Sequence, residues 1–184
     1  MSKTDERERV RENVPAEERV VPHSRYYEEA GFLEDGARRY DEAERRAENG
    51  KVVIRGKERP WYESRQGRGK TFLHPKLTDT ANGEWRVFIH EIRGQSGKHR
   101  HQGGIVLFVL QGKGYTVFDG ERVDWEEGDL VLLPYLPEGV EHQHFSADAE
   151  KPARWLAVRW LPFNRAIPNF MDQQEASPRW GKDE

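Results

Sequence analysis

The sequence contains no cysteine among its 184 residues. The chain therefore has no disulfide bonds, no thiolate metal ligands and no cysteine nucleophile. Histidine, aspartate and glutamate are the side chains left to bind a metal ion. A protein without disulfides is compatible with a reducing compartment, and we expect this one to be cytoplasmic.

Long apolar runs and an excess of positive charge are also missing. No apolar run reaches membrane-spanning length, and the N-terminal residues MSKTDERERVRENVPAEERVV have no apolar signal core. The formal net charge is -3, which provides no overall positive field for nucleic acid or anionic lipid. The segment RGKERPWYESRQGRGK combines cations with aromatic residues, as single-strand binding grooves do, but a solvated connector or a loop over the domain fits the charge better. We expect a soluble protein that binds neither membrane nor nucleic acid.

The chain divides by composition into four parts. Residues 1–22 alternate acids and arginines with few apolar residues, which predicts a flexible charged arm. Residues 23–50 offer Ser24 and Asp35 as helix N-caps and Gly50 as a stop, which predicts two short helices. Their apolar residues are expected to dock on the main domain; these are Tyr26, Tyr27, Phe32, Leu33 and Tyr40.

Residues 51–163 carry short strand-like runs separated by glycine, proline, asparagine and aspartate. The runs are KVVIR, KTFLH, EWRVFIHEI, IVLFVL, YTVF, DLVLLP, EHQHFS and RWLAVRWL. Strands at this spacing predict a mainly β domain, an antiparallel barrel or sandwich. Asp119-Gly120 supplies the positive φ of a tight hairpin turn. Residues 164–184 are predicted to be a tail that wraps this subunit or a neighbouring one.

Two pairs of histidines have the spacing that places both members on one strand face. His99 and His101 form the first pair, and His142 and His144 the second. Imidazoles two residues apart on one strand converge on one point, so the first pair predicts two metal ligands. In the second pair, either residue or both complete the ligand set, or one of them orients a ligand or a substrate.

The order of these motifs resembles the cupin superfamily, in which two motifs supply metal ligands inside a small β-barrel or jelly roll. The resemblance covers roughly Glu84 to Trp160. The matching residues of the first motif are His99, His101 and Gly112, and those of the second are Gly128, Pro134, Pro137, Gly139 and His142. The resemblance implies a metal site formed by these histidines and, since cupins commonly dimerise, a homodimer.

Two departures from the cupin pattern bear on the ligand set. The glutamate that is usual in the family falls at Ile105, and no residue from Gln102 to Phe108 is acidic. YLP, between Pro134 and Glu138, is an insertion relative to the common spacing, which leaves open whether His142 or His144 matches the third ligand. The missing carboxylate favours a three-histidine site, whose neutral imidazoles leave open positions on an octahedral metal.

Within the superfamily, the stretch HRHQGGIVLFVLQGKGYTVFDGERVDWEEGDLVLLP is similar to the gentisate-type ring-cleaving dioxygenases. That resemblance implies Fe(II), dioxygen and oxidative C–C cleavage of an oxygenated aromatic or related chelating small molecule. Zinc, manganese and nickel also accept imidazole ligands. Two alternatives stay open: a redox-silent lyase, isomerase or decarboxylase in which the metal is a Lewis acid, and a non-catalytic module that binds a small ligand.

Three further residues are candidates for the catalytic pocket. His90 shares a strand face with Phe88 and Ile92, and it either faces the cavity or is a hydrogen-bonded core residue. Arg159 either clamps a substrate carboxylate or packs along tryptophan faces at the surface. Tyr115 carries the weakest signal of the three.

Overall fold

The computed structural model of the chain describes residues 32–148, 150–167 and 169–182. Its strands are Tyr62–Ser64 (β1), Gly67–Leu73 (β2), Trp85–Ile92 (β3), Lys98–His101 (β4), Ile105–Gln111 (β5), Lys113–Phe118 (β6), Glu121–Glu126 (β7), Leu130–Leu133 (β8), Val140–Ser146 (β9), Ala153–Trp160 (β10) and Met171–Glu175 (β11). Its helices are Phe32–Asn49 (α1) and Leu161–Ala166 (α2), with a 3-10 turn at Gly56–Glu58. The predicted mainly β class is confirmed.

The strands form two antiparallel sheets. One has six strands in the order β1-β2-β3-β10-β5-β8, and the other has five in the order β11-β4-β9-β6-β7. Within the described residues no ladder joins the two sheets into a closed barrel, so the predicted barrel is found as a two-sheet arrangement. Across the same part of the chain, no helix is both long and apolar enough to cross a membrane.

The predicted N-terminal helices are only partly covered by the structure. Within the described residues, α1 crosses the boundary between two units of the chain, which falls between Glu44 and Arg45. Ser24 and the charged arm lie outside the described residues. The chain is already helical at Phe32, so the prediction that Asp35 is an N-cap is wrong. α1 ends at Asn49, directly before Gly50, whose amide donates to the carbonyl of Arg46 at 2.8 Å.

The observed strands agree with the predicted strand-like runs, with exceptions at KVVIR and at the two edge strands β1 and β11. KVVIR is not a strand, because only Lys51 pairs, in an isolated bridge to Thr80. β1 and β11 are edge strands with polar sequences, YES and MDQQE, which carry no apolar alternation that could have predicted them. The hairpin at Asp119-Gly120 joins β6 to β7 as predicted, with φ of 43° and 92° at the two residues.

A core of alternating inward residues lies between the sheets. It includes Ile92, Leu107, Val109, Trp125, Val131, Leu133 and Trp155, all of them buried. Every second side chain of a strand points to the same face. Some of the inward positions of these strands are occupied by polar residues, which therefore lie in the interior. Those inward polar residues form the site described below.

Candidate metal centre

The three histidines His99, His101 and His142 come together where β4 pairs with β9. The register sets His99 directly opposite His142. Their ring centroids lie 4.2 Å apart, and the ring of His101 lies 5.4 Å from His99 and 4.7 Å from His142. One nitrogen of each ring lies within 4.8 Å of those of the other two, and all three residues are buried. This is a set of nitrogens close enough to hold one metal ion.

The outward residues of β4 hold the strand in place from the other side. Lys98 makes an ion pair with Glu141 of β9 at 2.7 Å. Arg100 donates to the backbone carbonyl of Gly139 at 3.1 Å and pairs with Asp119 at 3.2 Å. The inward histidines therefore sit on a strand whose solvent side is tied to its neighbours.

Burial keeps the three histidines neutral. Desolvation, followed by the charge of His142 and Arg159, lowers the pKa of His101 to about 2. Desolvation and then the charge of His99 lower the pKa of His142 to about 3, and desolvation also lowers the pKa of His99. Neutral imidazoles keep a lone pair for a metal at physiological pH, so the donor chemistry of the cluster fits a divalent transition metal.

The hydrogen bonds of the rings decide which nitrogen is free. Nδ1 of His142 donates to the carbonyl of Val140 at 2.9 Å, and Nδ1 of His99 donates to the carbonyl of Gly97 at 3.3 Å, which leaves both Nε2 atoms as acceptors. Nδ1 of His101 instead accepts from the amide of Gly103 at 2.8 Å. A neutral His101 that ligates through Nε2 must carry its proton on Nδ1, so metal binding is expected to open this contact.

His144 lies outside the three-nitrogen cluster, in a hydrogen-bonded position beside it. Its Nδ1 is 2.8 Å from the hydroxyl of Thr116, and that hydroxyl accepts a hydrogen bond from Nε1 of Trp125 at 2.9 Å. The Thr116 hydroxyl has one proton and two lone pairs, so it satisfies both partners if it accepts from Trp125 and donates to Nδ1 of His144, which would place the His144 proton on Nε2. A neutral His144 in this tautomer offers a donor to the cavity and no metal lone pair.

Replacing Thr116 by valine is expected to lower the free energy of unfolding by about 2 kcal/mol, because it leaves two buried polar groups without a partner while keeping the side-chain shape. The matched control is Thr71→Val, since Thr71 donates to Tyr62 at an exposed position. That control is expected to change stability by about 0.5 kcal/mol or less. Chemical denaturation measures both, and equal losses in the two variants would contradict a special role for the Thr116 hydroxyl.

The cavity next to the cluster has a volume of about 30 Å³. Its wall includes Arg86, Arg159 and Ile105 together with the buried histidines, and no carboxylate belongs to the described lining. Ile105 occupies the place where the resemblance puts an acid, and it contributes an apolar wall. The cavity therefore combines neutral imidazoles with two cations.

The structure brings two of the three further candidates to this cavity. Arg159 lines it, is buried, and donates to the carbonyl of Gly103 at 2.9 Å. His90 also lines it, with Nε2 buried and without a hydrogen-bond partner. Desolvation, followed by the charge of His99, lowers the pKa of His90 to about 4.

Tyr115, the third candidate, is not part of the cavity lining. It follows Gly114 and precedes Thr116 on β6, and it is Thr116 that points inward. The ring of Tyr115 stacks on Phe145 at 4.6 Å, with the guanidinium of Arg122 3.8 Å from its centroid. Strand alternation places Tyr115 on the outer face.

The sequence analysis did not assign several residues of the lining to the cavity, among them Gln66, Arg86, Phe88 and Met171. Arg86 and Phe88 precede His90 at alternate positions of β3, so the period-two pattern could have identified them. Met171 reaches the cavity because β11 pairs with β4, with Met171 opposite His101. No local sequence pattern predicts that pairing.

Part of this chain is similar in sequence to known proteins. The family model described as the cupin domain matches residues 87–159. A gentisate 1,2-dioxygenase of a Ralstonia species is 40% identical over 65 residues, which are 35% of this chain and 17% of the relative. An acireductone dioxygenase of Phaeosphaeria nodorum is 28% identical over 100 residues, which are 49% of this chain and 51% of the relative.

This chain thus spans about half of one curated relative and less than a fifth of the other. Among solved structures, a salicylate 1,2-dioxygenase from Pseudaminobacter salicylatoxidans is similar with a TM-score of 0.46 and 24% identity. The alignment covers 56% of this chain and 30% of that one.

Proposed function

We propose that this chain, whose residues 87–159 match the cupin domain model, is an Fe(II)-dependent dioxygenase that cleaves a C–C bond of a small chelating substrate. The substrate class is an oxygenated aromatic or related compound that carries a carboxylate. We propose His99, His101 and His142 as the metal ligands, with zinc, manganese and nickel as the other metals that imidazole accepts.

One observation carries the proposal: three buried neutral histidines converge in a cavity whose described lining has no carboxylate. Three protein ligands leave open positions on a six-coordinate metal, and Fe(II) in such a site supplies the redox chemistry of dioxygen. His144 adds an N–H donor beside the cluster, placed to hold a substrate oxygen. The similarity to the gentisate 1,2-dioxygenase supports the same reaction class.

The two arginines of the cavity favour an anionic substrate. Burial and then the charge of Arg86 lower the pKa of Arg159 to about 10, so Arg159 is charged at physiological pH. The Nε atoms of Arg86 and Arg159 are both buried and without a hydrogen-bond partner. A substrate carboxylate would supply the missing acceptor and compensate the buried charge.

The cavity must open to admit such a substrate. Its volume of about 30 Å³ is close to the space of a single water molecule. Met171 lines the cavity and is also about half exposed, which places it at the mouth. Its unbranched side chain, which accepts a hydrogen bond from Gln66 at 3.7 Å, is suited to move aside. Closure afterwards would exclude water from the site.

Replacing Arg159 by methionine is expected to raise KM for a carboxylate substrate such as gentisate about 10- to 100-fold, which corresponds to the loss of a charge-assisted hydrogen bond. An uncharged catechol is expected to be affected much less. The surface variant Arg122→Met is the control, because Arg122 lies away from the cavity lining, where it pairs with Asp124 and stacks on Tyr115. Equal losses for charged and uncharged substrates would show that Arg159 supports the site and does not bind the carboxylate.

The proposed function is tested by metal analysis of anaerobically purified protein followed by an oxygen-uptake screen with catechols, gentisate-like acids and hydroxyketones. We expect near-stoichiometric iron and substrate-dependent oxygen consumption. Turnover that persists without oxygen would replace the dioxygenase with a Lewis-acid enzyme. Absence of bound metal after purification and after reconstitution with Fe(II) would overturn both enzyme readings and leave a ligand-binding module.

A further inference from the structure

A second cleft, apart from the metal cavity, lies beside the hairpin that joins β1 to β2. Its volume is about 330 Å³. Its lining comes from β1, β2, the end of β3, the loop after β3 and the C-terminal tail, and it includes Glu63, Arg68, Glu91, Arg93, Gln95 and Arg179. We call it the arginine cleft. Among the described residues, the lining of the arginine cleft and that of the metal cavity have no member in common.

The strand β3 separates the arginine cleft from the metal cavity. His90 lines the metal cavity, and the next residue, Glu91, lines the arginine cleft. Successive side chains of a strand point to opposite faces, so the two sites lie on the two sides of one strand. The hairpin repeats this division, because Gln66 lines the metal cavity and Gly67 lines the arginine cleft. The arginine cleft is therefore a site of its own.

The charges around Glu91 do not balance. Its carboxylate is fully buried and is contacted by three guanidinium groups. Arg154 lies 2.6 Å from one oxygen, whereas Arg93 and Arg68 lie 2.6 Å and 3.2 Å from the other. The carboxylate of Glu63, 3.6 Å from Nε of Arg68, offsets a second of the three cations. One positive charge of this cluster of described residues is left without a counter-charge.

The cleft also has more hydrogen-bond donors than acceptors for them. Arg93 donates to Glu91 through Nε, and no described residue accepts from its two terminal nitrogens. The side chain of Arg93 is 39% exposed, and Gln95 adds a side-chain amide to the lining. The planar fork of a guanidinium matches two oxygens of one anion. An anion in the cleft would therefore supply the missing acceptors.

The surroundings of the cleft are fixed before any ligand binds. The guanidinium carbons of Arg68 and Arg154 lie 4.9 Å and 5.6 Å from the ring centroid of Trp61. The amide of Ser177 donates to the carbonyl of Arg65 at 2.6 Å, which holds the C-terminal tail against the hairpin. Groups that are ordered in advance lose less entropy when a ligand binds.

We propose that the arginine cleft binds a small dianion of the phosphate class, such as a phosphate monoester. A dianion compensates the excess positive charge, and its oxygens can accept from Arg93 and Arg68 together. The cleft volume of about 330 Å³ lies at the lower end of the range for small-ligand sites, which fits a compact ligand. The proposal also gives a role to the segment RGKERPWYESRQGRGK, which contains both Trp61 and Arg68.

The first test is calorimetric titration of the full chain, stripped of metal, with inorganic phosphate and with glycerol 3-phosphate. We expect dissociation constants on the order of 0.1–1 mM and binding of acetate at least about tenfold weaker. The variant Arg93→Met is expected to bind both phosphates about tenfold more weakly or worse. The control Arg122→Met removes another exposed arginine that pairs with a carboxylate, and it should bind as the wild type does. No phosphate binding, or an Arg93→Met variant equal to the wild type, would overturn the proposal.

The second test needs no substitution in the cleft. Phenylglyoxal modifies exposed arginines, and peptide mass spectrometry locates the modified residues. Phosphate is expected to slow the modification of Arg93 about tenfold or more and to leave that of Arg122 unchanged. Equal rates for Arg93 with and without phosphate would contradict binding in the cleft.

The third test separates the arginine cleft from the metal cavity and from larger ligands. Arg159→Met and the double variant His99→Ala/His101→Ala change the lining of the metal cavity, and both should bind phosphate with wild-type affinity. A loss of phosphate binding in folded forms of these variants would place the anion in the metal cavity and refute the proposal. An oligonucleotide or an anionic lipid vesicle that binds through Arg93 about 100-fold more tightly than glycerol 3-phosphate would also overturn it, because the ligand would then be a macromolecular phosphate.

Discussion

Replacing His99 and His101 together by alanine is expected to reduce the bound metal from about one ion per chain to background. The metal would keep one of its three protein ligands, and changes even to groups behind the ligands cost 10- to 100-fold in metal affinity. A loss of two ligands should therefore lower metal affinity, and with it oxygen-dependent turnover, by more than about 1,000-fold. Elemental analysis and oxygen uptake on anaerobically prepared protein measure the two effects.

The control for this variant is His74→Ala, because His74 lies in a loop and bonds the amide of Lys76 at 3.1 Å. It should keep full metal content.

The third ligand is tested by comparing His142→Ala with His144→Ala. His142→Ala is expected to lose the metal, whereas His144→Ala should keep the metal and lose turnover. Loss of metal in His144→Ala with a folded chain would contradict the assignment of the ligand set.

Acid is expected to unfold the metal-free protein well above the pH at which carboxylates protonate. Five buried histidines have lowered pKa values, chiefly through desolvation; they are His90, His99, His101, His142 and His144. A histidine in the unfolded chain has a pKa near 6.5, so below that pH the unfolded state binds more protons than the folded state. The free energy of unfolding therefore shows no loss from these histidines above about pH 7, and it falls as the pH drops below 6.5.

The expected size of this effect is large. Each histidine that protonates only on unfolding costs about 1.4 kcal/mol per pH unit below 6.5. The four histidines with the most strongly lowered pKa values, His90, His101, His142 and His144, together remove on the order of 8 kcal/mol between pH 7.5 and pH 5, which is comparable to the whole stability of a typical domain. Urea denaturation at intervals across this range, on protein stripped of metal, measures the change.

The number of protons taken up on unfolding shows which histidines cause the loss of stability. The variant His90→Gln should unfold with about one proton fewer than the wild type over the same range. The variant His74→Gln should differ less, because His74 is only partly buried and its pKa, lowered by desolvation and nearby cations, is less perturbed than that of His90. An unfolding free energy that stays constant from pH 7.5 to pH 5 would show that the buried histidines are not neutral in the folded protein.

Much of the fold and part of the site follow from local patterns. Alternation along β4 is sufficient to place both histidines of the HRH motif on one face, and Asp119-Gly120 is sufficient to predict the hairpin. The same alternation explains Arg86, which the sequence analysis did not use. By contrast, β1 and β11 are short polar edge strands, and their existence depends on the strands they pair with.

The sequence by itself determined which side chains are available to the site. It has no cysteine, no acid beside the HRH motif, and two histidine pairs with strand spacing. Only the tertiary structure decided which histidine completes the cluster, because the answer lies in the register that sets His99 opposite His142. It also placed Tyr115 outside the cavity lining and brought Met171 to the cavity. Period-two patterns specify the face of a side chain within one strand, whereas register and strand order arise from pairings between residues far apart in the chain.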